Sequence, residues 1–202
     1  MPDRTTVVFD LGGVLIDWNP RYAYRQLGGT EEEIEHFLAH VATGEWNRQM
    51  DAGKPFATAI AERTRAFPEH ADWLAAWWTH WPVMLGDAIA GTVEILRELQ
   101  ARRVPLYALT NWSAETFPIA LERFSFLHEF EGIVVSGDVE KSKPDADIYA
   151  HLTDDFGIQP ESAVFIDDSP PNVETARRLG FHGLHFTSPD NLRRDLTALG
   201  LL

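Results

Sequence analysis

Four clusters of reactive side chains each stand at the end of a short apolar run. Asp10 follows Val7, Val8 and Phe9 and precedes Gly12 and Gly13. A carboxylate there can act as a nucleophile, and glycines let the backbone turn sharply and approach a ligand. Taken alone, Asp10 reads equally well as a capping residue in a plain strand-to-loop turn. Thr110 and Asn111 follow the run 105–109 and can offer a hydroxyl and an amide to an oxyanion, although such a pair is most often turn chemistry. Lys141 and Lys143 follow the run 133–135 and precede Pro144, which opens a helical pattern. Lys141 reads as solvated, whereas Lys143 is placed to neutralise a bound anion and a nearby carboxylate. The run 163–166 ends in Asp167 and Asp168. Adjacent carboxylates repel unless something positive lies between them, and magnesium, a hard ion that takes oxygen ligands, is the simplest remedy.

The elements that must carry these clusters follow from the apolar pattern. Runs at 6–9, 105–109, 133–135 and 163–166 have the length and continuity of buried parallel strands. Helical patterns cover 94–102, 145–156 and 171–179, the last stopped by Gly180. This alternation predicts an α/β fold with a doubly wound, Rossmann-like parallel sheet, whose ligands bind at the carboxyl ends of the strands. Roughly 90 residues separate the first strand from the second, too many for a crossover loop. Helical patterns at 31–42, 55–65 and 72–81 make that stretch an inserted all-helical cap. The expected division is a core of residues 1–16 and 88–202 and a cap of residues 17–87.

The chain has 202 residues, 45% of them apolar, enough for one substantial core and a small lobe. Cysteine is absent, which excludes disulfides, thiolate metal sites and Cys nucleophiles together. A net charge of −14 without a basic stripe argues against nucleic acid or an anionic membrane as partner. An acidic chain still takes an anionic substrate where a metal ion and a lysine make one pocket positive. No apolar stretch reaches about 18 residues and no signal-peptide pattern opens the chain, so a soluble cytoplasmic protein is expected.

Together, FDLGGVLID, LTNWS, KSKPDADIY and FIDDSPPNVETA resemble, in order, the four motifs of the haloacid dehalogenase-like (HAD) superfamily. The resemblance spans residues 7 to about 186, nearest the helical-cap branch of bacterial sugar-phosphate phosphatases that includes a glucose-1-phosphate phosphatase. It implies a magnesium-dependent hydrolase acting on a small phosphorylated metabolite through an aspartyl phosphate. Asp10 matches the nucleophile and a metal ligand, and Asp168 the main metal-binding acid, with Asp167 a direct or water-mediated ligand. Thr110 and Asn111 match the phosphate-binding pair, and Lys143 the lysine that stabilises nucleophile and phosphoryl charge. Most phosphatases of the superfamily carry an acid–base aspartate two residues after the nucleophile. Here that residue is Gly12, whose carbonyl can bind magnesium but cannot carry a proton.

Two other readings stay open at this point. A 2-haloacid dehalogenase uses the same aspartate on carbon without metal, but would be expected to have neutral residues at 167 and 168. A non-catalytic domain that keeps the fold is the third. Trp73, Trp77 and Trp81, at helical spacing with Trp78 alongside, read as the core of the helical lobe. Trp18, Trp46 and Trp112, with Arg21 and Asn47, are the candidates for walling a pocket and reading the substrate. Asp17, Asn19, Glu45, Arg48 and Asp51 are further candidates in the hinge and inner loop. His36 and His40 read as a surface helix face.

Overall fold

The computed structural model describes residues 5–202. After β1 (Thr6–Phe9) the chain turns through Gly12 and Gly13 into β2 (Ile16–Trp18). It then runs through α1 (Arg21–Gln26), α2 (Glu31–His40), α3 (Gly44–Asp51), α4 (Phe56–Ala66), α5 (Ala71–Thr79) and α6 (Trp81–Met84). β3 (Leu85–Ala88) brings the chain back antiparallel to β2. The remainder alternates: α7 (Ala90–Ala101), β4 (Leu106–Thr110), α8 (Phe117–Arg123), β5 (Gly132–Val135), α9 (Ser136–Val139) and α10 (Ala146–Phe156), then β6 (Ala163–Asp167), α11 (Pro170–Arg178), β7 (His182–His185) and α12 (Pro189–Ala198).

The four apolar runs become β1, β4, β5 and β6, with ends shifted by no more than one residue from expectation. They join β7 in one sheet of order β5-β4-β1-β6-β7, and every pairing is parallel. Val7 and Phe9 point to one face with Leu106, Ala108, Val164 and Ile166. Val8 points to the other with Leu109 and Phe165, against Ile148, Tyr149 and Leu152 of α10 and Ala176 of α11. Helices cover both faces, which is why these strands are continuous apolar runs without polar alternation. β1 is central, flanked by β4 and β6, so the carboxyl ends of these three strands bring Asp10, Thr110 and Asp167 to one rim.

The insert between β2 and β3 is helical. Thr30 caps α2 in a reciprocal box with Glu33, and three glutamates in its first turn favour the positive end of the helix dipole. Of the tryptophan stripe, Trp77 is buried as expected, edge-on to Trp46 at 5.2 Å and to Trp18 at 6.3 Å; Trp81 is buried, Trp73 is half-buried against the same core, and Trp78 is exposed. Tyr24 lies 5.0 Å from Trp73 and 4.9 Å from Phe37. The helix expected over 72–81 is two helices, α5 and α6. Pro82 cannot continue a helix, and it sits in the first turn of α6, where its missing N–H costs nothing. Among the described residues no helix is long and apolar enough to cross a membrane.

Candidate active site

Lys143 is the centre of the rim. Its side chain is essentially fully buried, and Nζ lies 2.9 Å from Asp10 Oδ1, 2.7 Å from Asp167 Oδ2 and 2.7 Å from the Leu109 carbonyl. All three ammonium hydrogens therefore have acceptors. Asp10 Oδ1 also accepts the Leu11 N–H at 2.7 Å, while its other oxygen has no partner among the described residues. Burial pushes the Asp10 carboxyl up to about 7 against the attraction of Lys143, and Asp167 adds to the rise. Burial disfavours the Lys143 ammonium too, but Asp10 and Asp167 outweigh it and hold its pKa above the usual lysine value. Asp167 is completely buried, accepting the Ser169 N–H at 2.8 Å and Asn172 Nδ2 at 3.0 and 3.1 Å besides Lys143. Asp168 instead reaches the open side. Desolvation, and then its neighbour Asp167, raise its pKa. Ligand oxygens of Asp10, Asp167 and Asp168 lie within 4.8 Å of one another.

A cavity of about 250 Å³ opens over this cluster. Strand-end loops of the sheet line it with Asp10, Gly12, Gly13, Asn111, Trp112 and Asp168, and Trp18 of β2, Asn47 and Asp51 of α3 and Trp81 of α6 complete the lining. Gly13 is at φ +75°, and a Cβ there would lie 2.4 Å from Asp168 Oδ2, so only glycine lets the loop pass that carboxylate. A Cβ on Gly12 would meet nothing within 4 Å. Asp51, at the carboxyl end of α3, accepts Asn47 Nδ2 at 2.8 Å. Burial pushes its carboxyl up to about 8; Arg48 pulls it down, and Asp10 adds to the rise. Thr110 is buried and its hydroxyl has no partner among the described residues, and the same is true of the Trp112 indole N–H.

A family model for haloacid dehalogenase-like hydrolases matches residues 5–180. The chain belongs to that family. The flavin mononucleotide hydrolase 1 of Arabidopsis thaliana is 32% identical over 111 residues, 55% of this chain and 45% of that protein, so the match spans less than half of that relative. A phosphoglycolate phosphatase of Nitrosospira multiformis is 29% identical over 192 residues, covering 87% of this chain and 80% of its own. A HAD family enzyme of Bacteroides thetaiotaomicron, solved with magnesium and inorganic phosphate, superposes with a TM-score of 0.68 at 23% identity, over 91% of this chain and 94% of that one.

Within this HAD-like hydrolase, not all of the expected residues present their side chains to the cavity. The Asn111 side chain is committed to the Lys143 backbone, with Nδ2 donating to its carbonyl at 2.9 Å and Oδ1 accepting its N–H at 2.8 Å. It clamps the lysine loop to the end of β4. Lys141 is exposed and paired with Asp147, as a solvated residue would be. Trp18, Asn47 and Trp112 line the cavity, but two other specificity candidates do not. Trp46 is buried in the helical lobe, its indole N–H donating to the Ala59 carbonyl at 3.3 Å. On α3, Trp46 and Met50 share the apolar face, and the next face carries Asn47 and Asp51 to the cavity. Arg21 forms a two-point ion pair with Glu35 at 2.5 and 2.8 Å and borders a separate depression. Its guanidinium fork matches a carboxylate and finds one on α2.

Two positioning residues were not anticipated. Asn172, in the first turn of α11, holds both oxygens of Asp167. The Ser136 hydroxyl accepts the Trp112 N–H at 2.8 Å and lies 2.5 Å from the Asp51 carbonyl, linking the strand-end loop to α3. Gly137 beside it packs against backbone: a Cβ there would lie 2.4 Å from Ala114 N and 2.9 Å from the Trp112 carbonyl. Backbone cannot yield as a side chain does, so Gly137→Ala is expected to destabilise by about 1–3 kcal/mol. Thermal unfolding checks this, and an unchanged midpoint would refute it.

Proposed function

We propose that this hydrolase is a magnesium-dependent phosphatase that cleaves a small phosphate monoester, a sugar phosphate foremost, through an aspartyl phosphate on Asp10. The observation that carries this reading is Asp10 itself: one oxygen is fixed by Lys143 and the Leu11 N–H, and the other is unpartnered in a cavity wall beside Asp168. A carboxylate held this way is oriented for in-line attack on a phosphorus placed over it. Lys143 favours its ionised form against burial and offsets the negative charge that gathers as substrate approaches. Thr110, at the end of β4, keeps a buried, unpaired hydroxyl behind the cavity lining, a cost of about 1–3 kcal/mol that a phosphoryl oxygen reaching it would relieve.

The residues fit a magnesium ion. Every donor in the cluster is a hard carboxylate oxygen, with Asp168 and Asp10 in the cavity wall and Gly12 beside them in the lining. Asp167 already accepts from Lys143, Ser169 and Asn172, which suits it to orient the lysine more than to ligate directly. When bound, the ion supplies charge stabilisation for the transferring phosphoryl group. The relatives that act on phosphoglycolate or flavin mononucleotide, and the neighbour holding magnesium and phosphate, support this reading. Residues 17–87 act in it as a cap over a core of residues 1–16 and 88–202, of which 1–4 lie outside the described residues. Trp18, Trp81 and Trp112 offer apolar ring surface to the part of the substrate beyond the phosphate, and Asn47 offers an amide.

A panel of phosphate esters assayed with magnesium and with EDTA, beside 2-haloacids, tests the proposal. Phosphate release is expected only with the metal, and restored when magnesium is added back. Halide release that survives EDTA would instead establish the dehalogenase chemistry and overturn the proposal.

A further inference from the structure

A phosphatase of this kind must deliver a proton to the departing ester oxygen and remove one from the water that follows, yet residue 12 is a glycine with open space where its side chain would project. Among the described residues, three titratable ones line the cavity: Asp10, Asp51 and Asp168. Asp10 is spent on attack, and Asp168 belongs to the acidic cluster beside it. Lys143 has its three hydrogens engaged by Asp10, Asp167 and Leu109. The geometry points to Asp51 as the proton donor to the leaving oxygen and then as the proton acceptor for the attacking water, an assignment that rests on the phosphatase reading.

Asp51 lines the same cavity as Asp10 and is near enough to feel its charge, so both carboxyls face a substrate bound there. A sphere of the cavity's volume is on the order of 8 Å across, so the ester oxygen of a phosphoryl group over Asp10 reaches Asp51 directly or through one water. The residue is anchored as a proton carrier needs to be. Asn47 holds one of its carboxylate oxygens, the other has no donor among the described residues, and the Ser136 hydroxyl ties its backbone carbonyl to the sheet side. The charged groups acting on it are Arg48 on its own helix and Asp10 in the same cavity lining; Glu140 packs nearby against Gly53. Its position at the negative end of α3 also favours the neutral acid. With the carboxyl pushed up to about 8, it is protonated and able to donate near neutrality.

The steps balance. Asp10 bonds to phosphorus, the phosphorus–ester oxygen bond breaks, and that oxygen takes the Asp51 proton and leaves as an alcohol. The Asp51 carboxylate then removes a proton from water as its oxygen attacks the aspartyl phosphate. The bond to Asp10 breaks, inorganic phosphate forms, and Asp51 is again a carboxylic acid.

The test is Asp51→Asn, a near-isostere, assayed with magnesium on p-nitrophenyl phosphate and on whichever alkyl phosphate the unmodified enzyme turns over best. An alkoxide leaves poorly without a proton, so kcat/KM on the alkyl ester is expected to fall about 10²–10⁴-fold. p-Nitrophenolate needs little help, so its kcat/KM falls far less. Its turnover still drops, with a burst of one nitrophenolate per enzyme, because aspartyl phosphate hydrolysis has lost its base. In the unmodified enzyme, alkyl kcat/KM declines as pH rises through the Asp51 pKa and its acid form disappears; the variant lacks that limb. Thermal unfolding shows whether the variant is folded. Parallel loss on both esters without a burst, or no loss on either, overturns the assignment. If the unmodified enzyme itself turns over no ester, the phosphatase reading fails instead.

Discussion

Asp10→Asn is expected to abolish turnover, by on the order of 10⁴-fold or more, while leaving the fold intact. The amide has the shape of the carboxylate. Its oxygen can still accept the Leu11 N–H and face Lys143, which keeps Asp167 as counter-ion. Only the nucleophile is lost. Steady-state phosphate release with magnesium measures the effect, and trapping of covalent phosphate on the unmodified enzyme but not on the variant assigns it to the right atom. A melting temperature within a few degrees of the original separates chemistry from stability. Turnover within about tenfold of the original would mean that water attacks phosphorus directly, and the aspartyl phosphate would have to be abandoned.

The sheet was readable because its strands are buried on both faces. A parallel strand under helices on each side is a run of apolar residues, and its carboxyl end is where polarity returns abruptly, as at Asp10, Thr110 and Asp167. β7 escaped notice because it is an edge strand paired only with β6, and His182-Gly183-Leu184-His185 has no apolar run. β2 and β3 are three and four residues long and are recognisable only as a pair that lies far apart in sequence.

The site was legible at its centre and obscure at its rim. Lys143, Asp10, Asp167 and Asp168 announce themselves by type, since buried or clustered charges need one another. What each side chain does depends on partners distant in sequence. The Asn111 amide meets a backbone 32 positions away, and the Ser136 hydroxyl reaches Asp51 across 85. The α3 part of the lining fails for a different reason. Glu45-Trp46-Asn47-Arg48-Gln49-Met50-Asp51 is too polar to show an obvious helical stripe, so Trp46 drew attention as the large exposed-looking ring. With that segment recognised as helical, i, i+4 spacing pairs Trp46 with Met50 in the core and Asn47 with Asp51 one step around, toward the cavity.

Lys143→Met should be inactive and also much less stable, which distinguishes it from Asp10→Asn. The ammonium is the counter-ion of two carboxylates, one completely buried and one nearly so. Removing one member of a buried charge cluster leaves the others uncompensated, at about 3–5 kcal/mol. In the unmodified protein the pKa of Lys143 is raised, so its stabilisation is complete below the normal lysine pKa and is lost only as pH rises through the higher folded value. At neutral pH it is therefore fully present, and the variant shows the whole deficit. In the variant, Asp10 loses that cation, which raises its carboxyl pKa further in the folded state. Protonation then relieves the strain, so the stability gap is expected to be widest near pH 7 to 8 and to narrow toward about pH 5. Denaturant unfolding in EDTA across that range checks both magnitude and sign. A variant as stable as the original at pH 7, or a gap that widens on acidification, would show that Lys143 is not what holds the two carboxylates in the fold.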